Sequence, residues 1–211
     1  MIFLETGTFF YFLTASILLT VAPGPDILYL LTKSLASGAK CGIILAAGLV
    51  SGIVFHTFLV MIGVAALIQS SPLAMTALKF FGAAYLLILA FKSFKAAKRG
   101  GQISMKKSDG EISFSAIYRR GVLMNVLNPK VLLFFLAFLP QFVNLSSENA
   151  SLQIIFLGVT FAAQAFIIFS IIATGAGKVR NILLRQKNLG RILNFVEAAV
   201  LAIIAATLLI F

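Results

Sequence analysis

Six long apolar runs, separated by short polar segments, constrain this chain more than any other feature. They cover Phe9–Leu31, Gly42–Ile68, Leu73–Phe91, Gly121–Val143, Leu152–Thr174 and Ile192–Phe211. At 1.5 Å per residue each reaches across the roughly 30 Å hydrocarbon core of a bilayer. Lipid offers the backbone no hydrogen-bond partner, so the runs are expected to be helices. None shows the alternating pattern, about ten residues long, of a barrel strand. With 61% apolar and only 11% charged residues over 211 positions, the chain has too little polar surface to cover a soluble domain. A soluble enzyme, a disordered chain and a secreted disulfide scaffold are thereby excluded. The lone Cys41 forms no internal disulfide and leaves too few thiolates for a soft-metal site. No Lys or Arg precedes Lys33, so the first run lacks the basic start of a cleavable leader and is expected to stay in the membrane.

The formal net charge of +11 would suggest nucleic acid in a soluble protein. In a membrane protein it has a simpler origin, because cytoplasmic loops collect Lys and Arg. Lys33 and Lys40 flank the first loop. Lys92, Lys95, Lys98, Arg99, Lys106, Lys107, Arg119 and Arg120 fall in the third, and Lys178, Arg180, Arg185, Lys187 and Arg191 in the fifth. Only Lys79 and Lys130 lie elsewhere. This bias places the odd loops in the cytoplasm and both termini outside. No nucleic-acid partner is expected; the bilayer is.

The two halves of the chain resemble each other. Phe80-Phe81-Gly82-Ala83-Ala84-Tyr85-Leu86 matches Phe195-Val196-Glu197-Ala198-Ala199-Val200-Leu201, and Gly24-Pro25-Asp26-Ile27-Leu28 falls opposite Asn128-Pro129-Lys130-Val131-Leu132. Three spans per half require the second copy to enter the membrane inverted. The expected architecture is therefore an all-α membrane protein of six transmembrane helices in two inverted three-helix repeats. Residues 1–91 and 121–211 form the repeats, and the basic segment 92–120 is a cytoplasmic linker between them.

Each half carries a proline break with a charge beside it in its first helix, the pattern that points to a transporter's binding site. In Ala22-Pro23-Gly24-Pro25-Asp26, each proline removes an N–H and clashes with the carbonyl four residues back. The carbonyls of Leu19 and Val21 are expected to be freed, and Gly24 eases the departure from helical geometry. In Asn125-Val126-Leu127-Asn128-Pro129-Lys130, Pro129 frees the carbonyl of Asn125, and two amides lie near enough to bond loose backbone. A Lys or Asp at the centre of a membrane helix costs about 2.5–3.5 kcal/mol on insertion scales. Asp26 and Lys130 must therefore pair, meet water or meet a ligand. One reading is a mutual salt bridge that pins the halves together. The other is a site for a small zwitterion, with Lys130 and the restarted helix ends facing its carboxylate and Asp26 and the freed carbonyls facing its ammonium. Pro23, Gly24, Pro25, Asp26, Asn125, Asn128, Pro129 and Lys130 are the candidate translocation residues.

Three further groups are candidates for proton coupling or for plain structure. Asp26 is the first choice as the proton-carrying acid. Glu197 is the second, although an interfacial position paired with Arg191 is the favoured reading of it. His56 either relays protons or bonds a backbone carbonyl. Gln164 either faces substrate or links helices, and Gly48, Gly52 and Gly63 offer a small face for close packing. No Ser–His–acid set, metal-ligand cluster or phosphate loop is present in the sequence, so no enzyme activity, metal or cofactor is expected. With no ATP-binding motif, active transport would run on an ion gradient.

Ala22-Pro23-Gly24-Pro25-Asp26 resembles the LysE/RhtB family of amino-acid exporters. The likeness continues through Gly38-Ala39-Lys40-Cys41-Gly42, Gly48 to His56, Lys79 to Leu86, Asn128 to Phe135 and Leu139 to Val143. Departures are Glu197, where a small residue is usual, and Ala90, where Gly is frequent. The resemblance implies a secondary exporter of the bacterial inner membrane, driven by proton antiport and moving neutral or basic amino acids or close derivatives. It also implies roles for Pro23, Gly24, Pro25, Asp26, Asn128, Pro129 and Lys130. A homodimer is left open. The alternatives are a metal-cation or other small-solute permease of related architecture, and a non-transporting membrane assembly protein.

Overall fold

The computed structural model describes residues 5–70, 72–99, 113–145, 147–185 and 188–210, and among them the regular structure is entirely helical. In chain order the α-helices are α1 (Thr6–Val21), α2 (Pro25–Ser37), α3 (Ala39–Ser70), α4 (Pro72–Lys98), α5 (Phe114–Val126), α6 (Pro129–Leu133), α7 (Ala150–Arg185) and α8 (Leu189–Ile210). Helices α3, α4, α7 and α8 are each long and apolar enough to cross a bilayer. The pair α1–α2 bends by 56°, and α5 bends by 48° against the helical stretch Pro129–Phe142 that α6 begins; each pair, if continuous, makes one more span. Counted so, the described residues hold four to six candidate spans, with the two bent pairs broken at proline where the sequence predicts.

The basic loops are more helical than expected. Only Gly38 separates α2 from α3, and its positive φ of 89° is the left-handed turn that glycine adopts without strain. Helix α4 runs on through Lys98 and α5 begins at Phe114, so both described ends of segment 92–120 are helical. Residues 100–112, which include Lys106 and Lys107, lie outside the described residues, as do the side chains of Lys178, Arg180, Arg185 and Lys187.

Packing follows from where side chains are small. α5 lies against α3 nearly backbone to backbone: a Cβ on Gly121 would sit 2.6 Å from the Leu45 carbonyl oxygen, and one on Gly48 would collide with the Tyr118 carbonyl. A Cβ on Gly52 would meet Asn125 Oδ1 at 2.6 Å. Gly63 does not share this contact, since nothing lies within 4 Å of its Cβ position. α3 also packs on α7, and α4 on α8. At the second pair, Ala83 and Leu86 are buried, as are their sequence counterparts Ala198 and Leu201.

An aromatic cluster fills the middle of the bundle. After α6 the chain widens into a π-helical turn, Phe134–Phe138, then tightens into a 3-10 turn, Leu139–Phe142. Pro140 cannot donate to the helix, and the Gln141 side-chain amide instead bonds the Ala137 carbonyl at 2.9 Å. The irregular turns bury Phe134, Phe135 and Phe138, which meet Phe12, Phe142 and Phe161 at ring-centroid distances of 4.9–6.1 Å. The outer surface is apolar, with Phe81, Leu127, Ile171 and Ile210 exposed. Such a surface belongs in hydrocarbon.

Gly121→Ala is expected to lower unfolding stability in detergent by about 1–3 kcal/mol, the ordinary effect of overpacking a tight contact. Gly63→Ala, in open space on a helix, should be neutral or stabilise by up to about 1 kcal/mol. Unfolding midpoints of the two variants moving in the same direction would contradict this account of the α3–α5 contact.

Candidate functional site

The first break is built by three consecutive residues. The Ala22 N–H still bonds the Leu18 carbonyl at 2.9 Å. Pro23 then offers no donor, and Gly24 is extended with φ −140° and ψ −173°. Pro25 restarts the helix at its first position, where a missing N–H costs nothing. Asp26 thus falls in the first turn of α2, where the helix dipole favours a carboxylate. The carbonyl of this break that a side chain takes up is that of Ala22, which the sequence reading of Leu19 and Val21 does not include. Ala22 lies past the last residue of α1, so its oxygen points out of the helical ladder.

The second break is similar but relies on asparagines. Asn128, extended ahead of a proline as sterics require, caps α6 by accepting a hydrogen bond from the Lys130 backbone N–H on its Oδ1 at 3.1 Å. Pro129 again takes the first helical position. The Asn125 carbonyl, freed as the sequence predicts, accepts from Asn128 N–H at 2.9 Å and from His56 Nε2 at 3.0 Å. His56 on α3 therefore makes the backbone-carbonyl bond, and its Nδ1 is buried without a partner.

The two breaks hold each other. Lys130 Nζ donates to the Ala22 carbonyl at 2.7 Å, and Asn128 Nδ2 donates to Asp26 Oδ2 at 2.8 Å. Asp26 and Lys130 are both 7% exposed. No direct ion pair joins them: each instead meets a neutral polar group of the other break, so the expected alternative of a mutual salt bridge is not what fills the gap. Asp26 Oδ1 is buried and makes no well-formed hydrogen bond, with the Asn125 side chain near the carboxyl. Between these groups lies a cavity of about 20 Å³ bordered by Gly24, Asp26, Asn125, Asn128 and Lys130 and walled by Leu19, Ile27, Ile53, Phe161 and Phe169. That is room for a water molecule and for nothing larger.

Glu197 departs from its favoured reading. Its Oε2 accepts a hydrogen bond from Ser93 Oγ at 3.0 Å, and its Oε1 and Lys130 Nζ lie 3.3 and 3.4 Å from where a Gly24 Cβ would be. Arg191 instead stacks on Phe195 at 5.7 Å. Helix α8 is packed on α4 along its length, which turns residue 197 inward, away from the interface. The internal sequence match, which sets Glu197 opposite the tightly packed Gly82, is the signal that could have placed it there. Gln164 on α7 donates to Thr20 Oγ1 on α1 at 2.9 Å and so links helices. Ala22, Ser93, Thr20 and the two phenylalanine walls carry no sequence signal for the site. Among the described residues no three of His, Cys, Asp and Glu gather as metal donors.

Comparison with known proteins adds a family. The family model described as LysE type translocator matches residues 17–211. The chain is 28% identical over 194 residues to a leucine efflux protein of Salmonella typhimurium (strain LT2). It is 29% identical over 198 residues to one of Enterobacter sp. (strain 638). Each alignment covers 91% of this chain and 91% of the relative. No solved structure matches.

The Asn128–Asp26 bond has a definite donor and acceptor, which makes it testable by exchange. Asn128→Asp keeps an oxygen to cap α6 but sets a second carboxylate against Asp26, and should cost about 1–3 kcal/mol of stability at neutral pH. The swapped double variant, Asp26→Asn with Asn128→Asp, restores one donor and one acceptor and should recover most of it. Equal unfolding midpoints for the single and double variants would dismiss the bond as a stabilising contact.

Proposed function

The chain belongs to the LysE type translocator family, and on that premise we propose that it exports amino acids from the bacterial cytoplasm across the inner membrane in exchange for protons. The observation that carries this reading is a buried carboxylate oxygen that no well-formed hydrogen bond takes up, on Asp26, which borders the same small cavity as Lys130. A free amino acid is a zwitterion, and its passage through hydrocarbon needs a partner for each end. Its carboxylate goes to Lys130, an ammonium with three donors of which one is engaged by Ala22. Its own ammonium goes to Asp26 Oδ1. The walls, Leu19, Ile27, Ile53, Phe161 and Phe169, are apolar and suit a neutral aliphatic side chain, in keeping with relatives named for leucine efflux.

Exchange for protons follows from one acceptor serving two cations. A proton on Asp26 and a substrate ammonium on Asp26 exclude each other, so the site carries one outward and the other inward. Opening to either side is a movement of the halves about the cavity. The cross-bonds between the breaks are the contacts that must loosen, since they close the cavity below the size of a substrate. The pairing of α3 with α7 and α4 with α8 sets equivalent helices of the two halves against each other, as a two-fold axis in the membrane plane would. This supports reading residues 1–91 and 121–211 as inverted repeats. The basic bias of the odd loops supports an orientation with both termini outside. His56, bound to the Asn125 carbonyl, acts in this scheme by positioning the second break.

Proteoliposomes with an acidic interior should accumulate leucine through the wild-type protein. Asp26→Asn and Lys130→Ala each remove a charge-assisted partner of about 1.5–3 kcal/mol, and gradient-driven uptake at low substrate should fall roughly 10–100-fold. Wild-type uptake in both variants would remove these residues from the mechanism, and uptake that ignores the pH gradient would remove the proton.

A further inference from the structure

Three charged side chains, not two, meet at the breaks. Lys130 is buried, borders one cavity with Asp26 and lies beside Glu197 at Gly24. Ser93 on α4 fixes one oxygen of Glu197 and leaves the other directed over Gly24, where Lys130 Nζ also lies. Gly24 has no side chain to come between them. No hydrogen bond joins the two, so Lys130 feels an anion without being neutralised by contact.

Three formal charges, two negative and one positive, leave the cluster one negative charge in excess when all are ionised. An arriving substrate carboxylate must approach Lys130 while Glu197 faces the same ammonium. Like charges that close repel appreciably in a protein interior, even at an effective dielectric of about 20.

We propose that Glu197 is an internal competitor for Lys130, a carboxylate built into the protein that mimics the substrate's own and weakens its hold. This rests on the reading of Lys130 as the partner of the substrate carboxylate. The competitor does two things. It keeps a buried ammonium from standing without an anion when the site is empty of substrate, a state that would be costly in hydrocarbon. It also favours release, because the carboxylate that leaves is replaced at once by one that never departs. An exporter gains from a site that does not hold its cargo tightly, since rate at a given concentration falls when substrate is bound too well. Glu197 touches Lys130's field and not the reacting proton or the substrate ammonium, so it is a specificity-determining residue.

The test uses two ligands that differ in one charge, L-leucine and L-leucinamide, whose carboxylate is replaced by a neutral amide. Affinities are measured on purified full-length protein in detergent by calorimetric titration. Unfolding midpoints confirm that each variant is folded. Wild type should prefer leucine to leucinamide. Glu197→Gln, which retains the hydrogen bond to Ser93, should bind leucine roughly tenfold tighter, within the usual range of coupling between two sites. It should bind leucinamide equally or more weakly, because an anion that attracts its ammonium is gone. Glu197→Ala should shift in the same direction. If both ligands weaken in Glu197→Gln, Glu197 is itself an ammonium ligand and the proposal is overturned. An unchanged ratio of the two affinities overturns it as well. A wild-type protein that binds both ligands alike would instead defeat the underlying assignment of Lys130.

Discussion

A broken helix in hydrocarbon leaves polar groups with no solvent to turn to, and a charge beside the break makes the demand greater. The bond from Lys130 Nζ to the Ala22 carbonyl answers both needs at once. The ammonium obtains an acceptor, and the carbonyl that α1 cannot use obtains a donor. Because the two residues stand on opposite halves of the chain, this one contact also decides how the halves meet. Asn128 makes the reciprocal connection, capping its own helix with one atom and holding Asp26 with another. Each break thus supplies a polar partner that the other lacks.

The rest of the fold serves to bring the breaks within reach. Glycines at 48, 52 and 121 let α5 lie on α3 closely enough for His56 to reach the Asn125 carbonyl. Phe134, Phe135 and Phe138 fill the volume behind α6 with rigid rings, so the five-residue helix that carries Lys130 does not rest on its own hydrogen bonds for position. A helix that short has little intrinsic stability. Its orientation is set by packing, and the irregular π and 3-10 turns that follow are what allow three large rings to face inward together.

How much of this the residues announce differs by the kind of physics involved. Spans are readable because hydrophobic length is a local property, and the breaks at Pro25 and Pro129 are readable because proline acts on its own neighbours. The Asn125 carbonyl was identifiable for the same reason. Ala22 was not, because the acceptor used is the one past the helix end and not the one the proline ring displaces. Ser93 and Glu197 lie 104 positions apart in apolar helices with no periodic signal, and only the packing of α4 on α8 brings them together. Arg191, six positions before Glu197, was the natural partner by chain distance, and Phe195 takes it instead. The hydrophobic match of Phe80–Leu86 to Phe195–Leu201 does hold positional information: Ala83 and Leu86 are buried, as are Ala198 and Leu201, and Glu197 opposite Gly82 marks where the second half carries a charge.

The two carboxylates are not interchangeable as carriers of a proton, and the sign of coupling tells them apart. In the proposed mechanism the substrate's ammonium and a proton compete for Asp26, so binding of one expels the other and transport is exchange. A proton arriving on Glu197 would do the opposite. It would cancel the competitor for Lys130, leave the ammonium free for the substrate's carboxylate, and so favour proton and substrate bound together. That linkage is reciprocal by thermodynamic necessity, and on its own it describes movement of both in one direction. A chain built to exchange therefore has reason to keep Glu197 ionised beside Ser93 and Lys130 while Asp26 alone changes its occupant. One lysine facing two acids in this way separates the group that couples from the group that sets how firmly the cargo is held.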